Sequence, residues 1–376
     1  MMRLLLFILL IVCFACSRTE QKKIEQNPTQ SNEVRYAKGF EIKQYVDYTA
    51  VYIKEKNSNS RFGKLYWLAS KLPSQPRPDS VTFIQIPIQK IVCSSTTHIP
   101  HLVYLNETNA LVGFPTPDYI SSEQVRKRIN QGLVEDVGQE ADVNIEKIIA
   151  LQPHVMMTYT MQEEANSYRL LNQFKIPVIF NTDFLEQHPL GRAEWIKLTG
   201  ILFDKKAKAD SIFSAIENQY LQLKNLTDPV SYQPTVFSGV LYGDSWFLPG
   251  GQNYAAILFQ DAGMDYIWKD DASTSFLQLP FETVLTKAGT ADFWIGTASF
   301  TDFSSLKNAD KRYPLFKAFQ LKNVFHYNAK LGEKGGSFYL EEGYLRPDFI
   351  LADLIKIAHP DKIPNHNFHY HAPLGE

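Results

Sequence analysis

Three histidines near the end of the chain, His366, His369 and His371, have a spacing that could bind a transition metal. No cysteine or carboxylate lies among them, and chain ends are commonly mobile, so ordinary surface histidines are the stronger interpretation. Residues 248–251 lack the Lys-Ser/Thr of a phosphate loop, and neither a G-x-S-x-G elbow nor an H-E-x-x-H motif is present. The sequence therefore predicts neither catalysis nor a resident metal or cofactor.

Cys16 ends a segment with the composition of an export signal. Arg3 supplies a positive charge, residues 4–12 are uniformly apolar, and this run is too short to span a bilayer. The ending Phe-Ala-Cys is similar to a bacterial lipobox, although Cys13 stands where leucine is usual. A plain signal peptide cut nearby is the alternative. We expect an exported chain held at the periplasmic or extracytoplasmic face of a bacterial membrane by lipid on Cys16, followed by a polar, flexible tether.

Composition limits the number of domains, the kinds of partner and the disulfide content that the chain can have. About 360 residues follow the leader, which is more than one hydrophobic core usually serves, so two lobes are expected. A formal net charge of -2 argues against nucleic acid as a partner. Outside the leader Cys93 is the single cysteine, and its apolar neighbours predict a buried side chain with no internal disulfide.

Hydrophobic periodicity divides the chain into alternating elements. Residues 36–90 contain short alternating strands broken by Asn, Ser, Gly and Pro, which predicts an antiparallel element. After residue 88, buried strands alternate with helices, one of them beginning at the N-cap Asn144. This order is typical of a parallel sheet with crossover helices. Residues 205–225 have helical periodicity over a length of roughly 30 Å. A second strand–helix series follows them and begins with a predicted strand over residues 235–241.

These patterns predict an α/β fold in which two lobes, each with a mainly parallel sheet flanked by helices, are joined by one long interdomain helix. We expect a signal peptide (residues 1–15) and a tether (16–35), followed by an N-terminal lobe (36–188) whose first part, residues 36–90, is a strand-rich extension. An entry and interdomain helix (189–226) then leads to a C-terminal lobe (227–376).

Several strings in this framework resemble one protein family. Residues 90–97 (KIVCSSTT), 137–139 (VGQ) and 144–155 (NIEKIIALQPHV) are similar to the first lobe of class III periplasmic binding proteins. Residues 191–210 resemble that family's entry to its interdomain helix, and residues 280–285 (PFETVL) resemble the matching element of the second lobe. These proteins are the solute-binding components of ABC importers for iron siderophores, haem and cobalamin.

The resemblance implies two docking residues. In this family each lobe presents a glutamate to an arginine of the transporter's membrane subunit, and Glu146 and Glu282 occupy the matching positions. Each lies near a predicted helix start, where the helix dipole stabilises a carboxylate. An N-terminal-turn glutamate without a partner is the alternative. The implied partners are an ABC permease and its ATPase, with the chain acting as a monomer.

The ligand is expected between the lobes, at the carboxyl ends of the strands. The loops there are unusually aromatic, which suits a catecholic ligand, a planar macrocycle or an aromatic chelate. Arg192 begins a helix beside the same cleft and could meet a ligand carboxylate or form a surface ion pair. The candidate ligand-binding residues are Ser95, Thr96, His98, Tyr159, Arg192, Tyr242, Trp246, Phe247, Phe300 and Phe303.

The expected function is a lipid-anchored receptor that captures a small-molecule metal chelate and delivers it to an ABC importer without a chemical step. An iron siderophore, haem and cobalamin all suit aromatic loops, with the siderophore favoured by prior alone. One stiff linking helix should restrict lobe movement to a few degrees. The alternative is an exported enzyme on a similar two-lobed scaffold, such as a metal chelatase or hydrolase.

Overall fold

The computed structural model describes residues 28–29, 33–54, 63–139, 142–159, 166–228 and 230–376. The predicted signal peptide, the lipidation candidate Cys16 and most of the tether lie outside this part of the chain. None of the helices within it combines the length and the apolar character needed to cross a membrane.

The strand-rich extension forms a four-stranded sheet in the order β1-β2-β3-β4. Its strands are β1 (Phe40–Gln44), β2 (Thr49–Ile53), β3 (Lys64–Ala69) and β4 (Val81–Gln85). The first two pairings are antiparallel, as predicted, whereas β3 and β4 run parallel. Alternation places Phe40, Ile42 and Tyr66 on the face that packs into the core of the N-terminal lobe.

A five-stranded parallel sheet in the order β11-β10-β5-β6-β7 forms the N-terminal lobe. Its strands are β5 (Ile91–Cys93), β6 (Leu111–Phe114), β7 (Glu135–Asp136), β10 (Val155–Thr158) and β11 (Val178–Phe180), and β8 (Gly138–Gln139) pairs with β9 (Asp142–Val143) beside it. The helices are α1 (Ile99–Leu105), α2 (Glu123–Asn130), α3 (Ile145–Leu151) and α4 (Asn166–Gln173). Asn144 caps α3 by accepting a hydrogen bond from the backbone N–H of Lys147 at 2.9 Å, as predicted. Cys93 is buried, also as predicted.

Three consecutive helices connect the lobes: α5 (Pro189–Glu194), α6 (Ile196–Leu202) and the long α7 (Lys206–Leu226). The predicted bounds of the long helix differ from the observed ones by one residue at each end. One face of α7 buries Ala209, Phe213, Ile216 and Tyr220 against the C-terminal lobe. The N-terminal segment also binds this linker, because Tyr36 donates its hydroxyl proton to Glu217 at 2.6 Å.

The C-terminal lobe contains a second five-stranded sheet, ordered β15-β12-β17-β18-β19, in which only the β18–β19 pairing is antiparallel. Its strands are β12 (Thr235–Ser238), β15 (Asp265–Tyr266), β17 (Phe293–Ile295), β18 (Val324–His326) and β19 (Ala372–Pro373). Its helices are α8 (Tyr254–Asp261), α9 (Phe281–Ala288), α10 (Phe303–Ala309), α11 (Lys317–Gln320), α12 (Phe338–Glu341) and α13 (Pro347–Ala358).

A three-stranded antiparallel sheet covers part of this lobe and was not predicted. It consists of β13 (Val240–Tyr242), β14 (Ser245–Pro249) and β16 (Phe276–Leu279). The sequence suggested one strand over residues 235–241 followed by a loop. Gly239 adopts φ +86° and ends β12, so the chain turns into a separate hairpin at that residue.

The chain between β18 and α13, residues 327–346, reaches from the C-terminal lobe onto the N-terminal lobe; we call it the bridging segment. The Glu341 carboxylate accepts hydrogen bonds from the backbone N–H groups of Ser121 and Ser122 at 2.7 and 2.9 Å. Tyr104 donates its hydroxyl proton to Glu342 at 3.0 Å. The lobes are therefore connected by polar contacts in addition to the linker helices.

Candidate functional site

Arg192 lies where the two lobes and the linker meet. Its Nε and Nη2 groups donate to the backbone oxygens of Glu186 and Phe184 at 3.2 and 3.3 Å, on the N-terminal side. On the C-terminal side, its guanidinium carbon is 3.6 Å from the ring centroid of Tyr254 and 4.3 Å from that of Tyr344. The cation is thus held by carbonyl oxygens and two aromatic faces, and it also interacts electrostatically with the Asp183 carboxyl.

The loop that follows β5 carries hydroxyl groups and is linked to this cation through Asp183. Ser95 caps the 3-10 turn Thr96–His98, and its Oγ lies 3.0 Å from the Thr97 hydroxyl oxygen. Ser95 and Thr96 are half-buried. Burial raises the pKa of the neighbouring Asp183 carboxyl to about 6, while the Thr97 hydroxyl and the Arg192 charge lower it. The Asp183 carboxyl therefore gains or loses its proton near pH 6.

Tyr159 completes the N-terminal side of the site. It follows β10 directly, and its backbone N–H donates to the Ser94 hydroxyl at 3.3 Å, which joins the ends of β10 and β5. Its half-buried ring makes an edge contact with Phe184, with centroids 5.8 Å apart. Parallel strands place their carboxyl ends along one edge, which explains why residues distant in sequence meet here.

Tyrosines from the bridging segment and from the start of α8 lie on the C-terminal side. Tyr327 and Tyr339 stack with centroids 4.7 Å apart, and Tyr254 and Tyr344 stack at 6.2 Å. Burial raises the pKa of Tyr254 and of Tyr339 far above the ordinary value, so both phenols remain neutral. A cation, neutral phenols and hydroxyl groups between two lobes can bind an anionic ligand with flat or aromatic surfaces.

A family model described as periplasmic binding protein matches residues 91–331. The chain belongs to the periplasmic binding protein family. Members of this family are the solute-binding subunits that work with an ABC permease and ATPase. The matched range begins at β5, so the four-stranded sheet of the extension lies outside it.

Relatives and solved structures agree with this assignment. An uncharacterized lipoprotein from Methanocaldococcus jannaschii is 25% identical over 354 residues, which cover 92% of this chain and 80% of that protein. The molybdate-binding protein MolA of Haemophilus influenzae is similar in structure with a TM-score of 0.58 and 19% identity, over 76% of this chain and 90% of that one. The haem-binding protein RhuT from Roseiflexus matches with a TM-score of 0.53 and 13% identity, over 73% and 99% of the two chains. These structural similarities establish the two-lobed binding-protein fold.

Trp246 corrects one sequence prediction. It was expected in a cleft loop, but it lies in β14, is fully buried, and donates its indole N–H to the Ser238 oxygen at 3.0 Å. Its ring packs among Phe237, Trp294 and Tyr313 in the core of the C-terminal lobe. A ligand between the lobes therefore cannot contact this side chain in the observed conformation.

His98 also differs from expectation. It is buried, and neither ring nitrogen has a hydrogen-bond partner in the described part of the chain. Burial, with a smaller contribution from His101, lowers the pKa of His98 to about 3, so the ring is neutral. Direct ligand contact by His98 is therefore wrong for this conformation.

The other predicted aromatic residues contact one another or the core of the C-terminal lobe. Tyr242 is 81% exposed at the β13–β14 turn, and its ring contacts Phe247 at 6.2 Å. Phe303 is half-buried at the start of α10 and packs edge-on against Phe319 at 5.1 Å. Phe300 follows β17 and packs partly against the core of the C-terminal lobe. Arg192 is thus connected to the Tyr159 ring through Phe184 and to the Thr97 hydroxyl through Asp183. Ligand binding by Ser95, Thr96, Tyr159 and Arg192 stays a prediction.

The proposed docking glutamates occupy equivalent places in the two lobes. Glu146 is the second residue of α3 and Glu282 is the second residue of α9. Both are exposed, and Glu282 forms an ion pair with Arg312 at 3.2 Å. Their role in docking stays a prediction.

The three C-terminal histidines surround a buried carboxylate that the sequence spacing did not reveal. Asp353 accepts backbone hydrogen bonds from His369, Tyr370 and His371 at 2.7–2.9 Å. The side chains of His366 and His371 also contact it, at 2.7 and 3.2 Å. These contacts attach the chain end to α13, and within the described residues no group of three His, Cys, Asp or Glu side chains has the arrangement of a metal site.

Proposed function

We propose that this binding protein is a lipid-anchored receptor that captures an anionic metal chelate between its lobes and delivers it to an ABC importer. The observation that carries the proposal is Arg192, a guanidinium held at the lobe junction by carbonyl oxygens and by two tyrosine rings. Such a cation attracts carboxylate, phenolate or propionate groups. The proposal is also supported by the family assignment and by relatives named as lipoproteins.

The side chains around Arg192 favour some of the three ligand classes, siderophore, haem and cobalamin, that the sequence did not separate. An anionic ferric siderophore or haem would gain from the cation and from the half-buried rings of Tyr159 and Tyr344. The peripheral arms of cobalamin end in neutral amides, and its one anionic group is the phosphodiester of the nucleotide loop. We therefore place the ferric siderophore and haem before cobalamin. Binding requires no chemical step at this site, because capture and release depend on contacts with two lobes that stay connected.

A visible-absorbance titration tests this function. Purified protein is titrated with ferric siderophores of the catecholate and carboxylate classes, with haemin, with cobalamin and with molybdate. The proposal predicts saturable binding of one anionic chelate with one site per chain. Binding of molybdate alone would retain a solute receptor but contradict the chelate class, and turnover of any of these compounds would contradict a receptor without chemistry.

Anchoring and docking are parts of the same proposal. Lipid on Cys16 would keep the receptor at the membrane surface, and Glu146 and Glu282 would contact basic residues of the permease. One exposed carboxylate on each lobe lets the importer distinguish a properly assembled pair of lobes from a single lobe.

A further inference from the structure

One end of the four-stranded extension sheet exposes two aliphatic side chains. Val46, in the turn between β1 and β2, is 83% exposed, more than any other large apolar residue in the described part of the chain. Leu72, which follows β3, is 60% exposed. Asp47 accepts hydrogen bonds from the backbone N–H and hydroxyl of Ser74 at 3.4 and 3.5 Å, so the turn and the following loop are joined. We call residues 45–48 and 70–74 the tip.

Strand register confirms that both parts of the tip lie at the same end of the sheet. Gln44 pairs with Thr49, and Thr49 pairs with Leu68, so these residues form a row across β1, β2 and β3. The turn of residues 45–48 and the chain leaving β3 both extend beyond this row. Val46 and Leu72 therefore lie at one end of the sheet in connected segments, whereas single exposed apolar residues scattered over a protein surface are common and need no explanation.

Aromatic rings of the tip and of β3 pack against one another beside Val46. Tyr45 and Tyr48 stack with centroids 4.5 Å apart and an angle of 4°. Trp67 lies 4.4 Å from Tyr48. Tyrosine and tryptophan are the residues enriched at membrane–water interfaces. The packed rings hold the turn that exposes Val46. Lys43 and Lys71 are exposed beside it and could meet lipid phosphates.

The position of the N-terminal chain identifies the partner. Thr29 donates from its backbone N–H and its hydroxyl to the Gln44 oxygen at 2.9 and 3.1 Å, so the chain enters the described structure beside the tip. Twelve residues, 17–28, separate Cys16 from Thr29. Even a fully extended chain of this length reaches at most about 45 Å. A lipid on Cys16 would therefore keep the tip near the bilayer.

We propose that the tip rests in the headgroup layer of the membrane that carries the anchor, with Val46 and Leu72 inserted and Lys43 and Lys71 beside lipid phosphates. This inference rests on the proposed lipid anchorage. The contact gives the tethered receptor a preferred orientation, because the tether alone leaves the lobe free to rotate about the point where the chain enters, whereas the inserted tip fixes that end of the sheet against the bilayer. A bilayer surface is the occupant that both the apolar residues and the entry of the chain favour.

The test uses the full-length lipidated protein in vesicles of phosphatidylcholine and phosphatidylglycerol. A nitrobenzoxadiazole dye is attached to V46C and, as a matched control, to L315C, because Leu315 is also an exposed apolar residue but lies on the C-terminal lobe. Cys93 is buried and does not compete for the label. Spin-labelled lipids should quench the dye at position 46 at least about twofold more strongly than the dye at position 315. Equal quenching at both positions would overturn the inference.

Three further measurements distinguish tip insertion from lipid anchorage and from self-association. Mass spectrometry of the same preparation reports whether Cys16 carries lipid. A lipidated chain whose dye at position 46 is not quenched would refute the tip contact but not the anchor. An unlipidated chain whose dye at position 46 is quenched would refute the anchor but not the tip contact. A concentration-dependent blue shift of the V46C dye without vesicles would indicate that two copies pair through the tip, which also overturns the inference. In the C16A chain, V46S/L72S should weaken vesicle binding by about tenfold, and unchanged binding would count against insertion.

Discussion

Replacing Glu341 with alanine should weaken the connection between the lobes. The carboxylate is 2% exposed and accepts the backbone N–H groups of Ser121 and Ser122, which are themselves buried. Each buried donor left without an acceptor costs about 1–3 kcal/mol, so the E341A protein, which leaves two donors unpaired, should lose about 2–6 kcal/mol of unfolding free energy at pH 5.5. Urea unfolding followed by tryptophan fluorescence measures this loss. The exposed Glu333 of the same segment gives the matched control E333A, which should change stability by less than about 0.5 kcal/mol.

The effect of E341A should also depend on pH. Burial raises the pKa of Glu341 from 4.5 to about 8, although the two backbone N–H donors lower it. Between these values the native protein keeps a proton that the unfolded chain releases, so the stabilising contribution of Glu341 falls as the pH rises and is lost above about 8. The stability difference between the parent and E341A should therefore be larger at pH 5.5 than at pH 8.5. An equal or larger difference at pH 8.5, or an effect no greater than that of E333A, would refute this reasoning.

Four further outcomes are expected. Cys16→Ala should move the protein out of the membrane fraction, and unchanged fractionation without lipid on mass spectrometry would exclude the anchor. Alanine at both Glu146 and Glu282 should leave the ligand Kd unaltered while uptake into cells falls, since a truncated interfacial charge pair costs about 2–5 kcal/mol; normal uptake would refute docking. Because burial raises the pKa of Asp183 to about 6, an anionic chelate should bind more weakly at pH 7.5 than at pH 5.5, and D183N should remove that difference in titrations at the two pH values. Trp246→Ala should lower the unfolding free energy by about 3–5 kcal/mol in urea denaturation, and a loss below 1 kcal/mol would contradict its place in the core.

The sequence predicted elements best where one local pattern determined them. Asn144 as the N-cap of α3 follows from short-range chemistry, and the long helix α7 follows from a sustained apolar period. The hairpin after Gly239 was missed because one residue of positive φ redirects the chain, and an alternating apolar run fits both a continuing strand and a new sheet.

Site residues were harder to predict because they depend on contacts between the lobes. Arg192 and Tyr159 were proposed from their places beside predicted strand and helix ends, and their role in binding stays a prediction. Tyr254 and Tyr344 were missed because they meet Arg192 only after the linker and the bridging segment fold against it. Trp246 was misplaced since an aromatic residue in a presumed loop and one in a buried strand have similar local sequence. No local signal in the sequence marks such long-range contacts.

The central claim is that an anionic chelate binds between the lobes at Arg192, and affinity measurements on matched variants test it most directly. With the chelate identified by titration, R192A should bind at least about thirtyfold more weakly, corresponding to about 2 kcal/mol. R192K should keep part of the affinity through its charge. The control R128A removes a half-buried arginine of α2 that donates to Asn109, and it should bind like the parent. If R192A remains folded and binds the chelate as tightly as the parent and R128A do, the ligand lies elsewhere and the account is wrong.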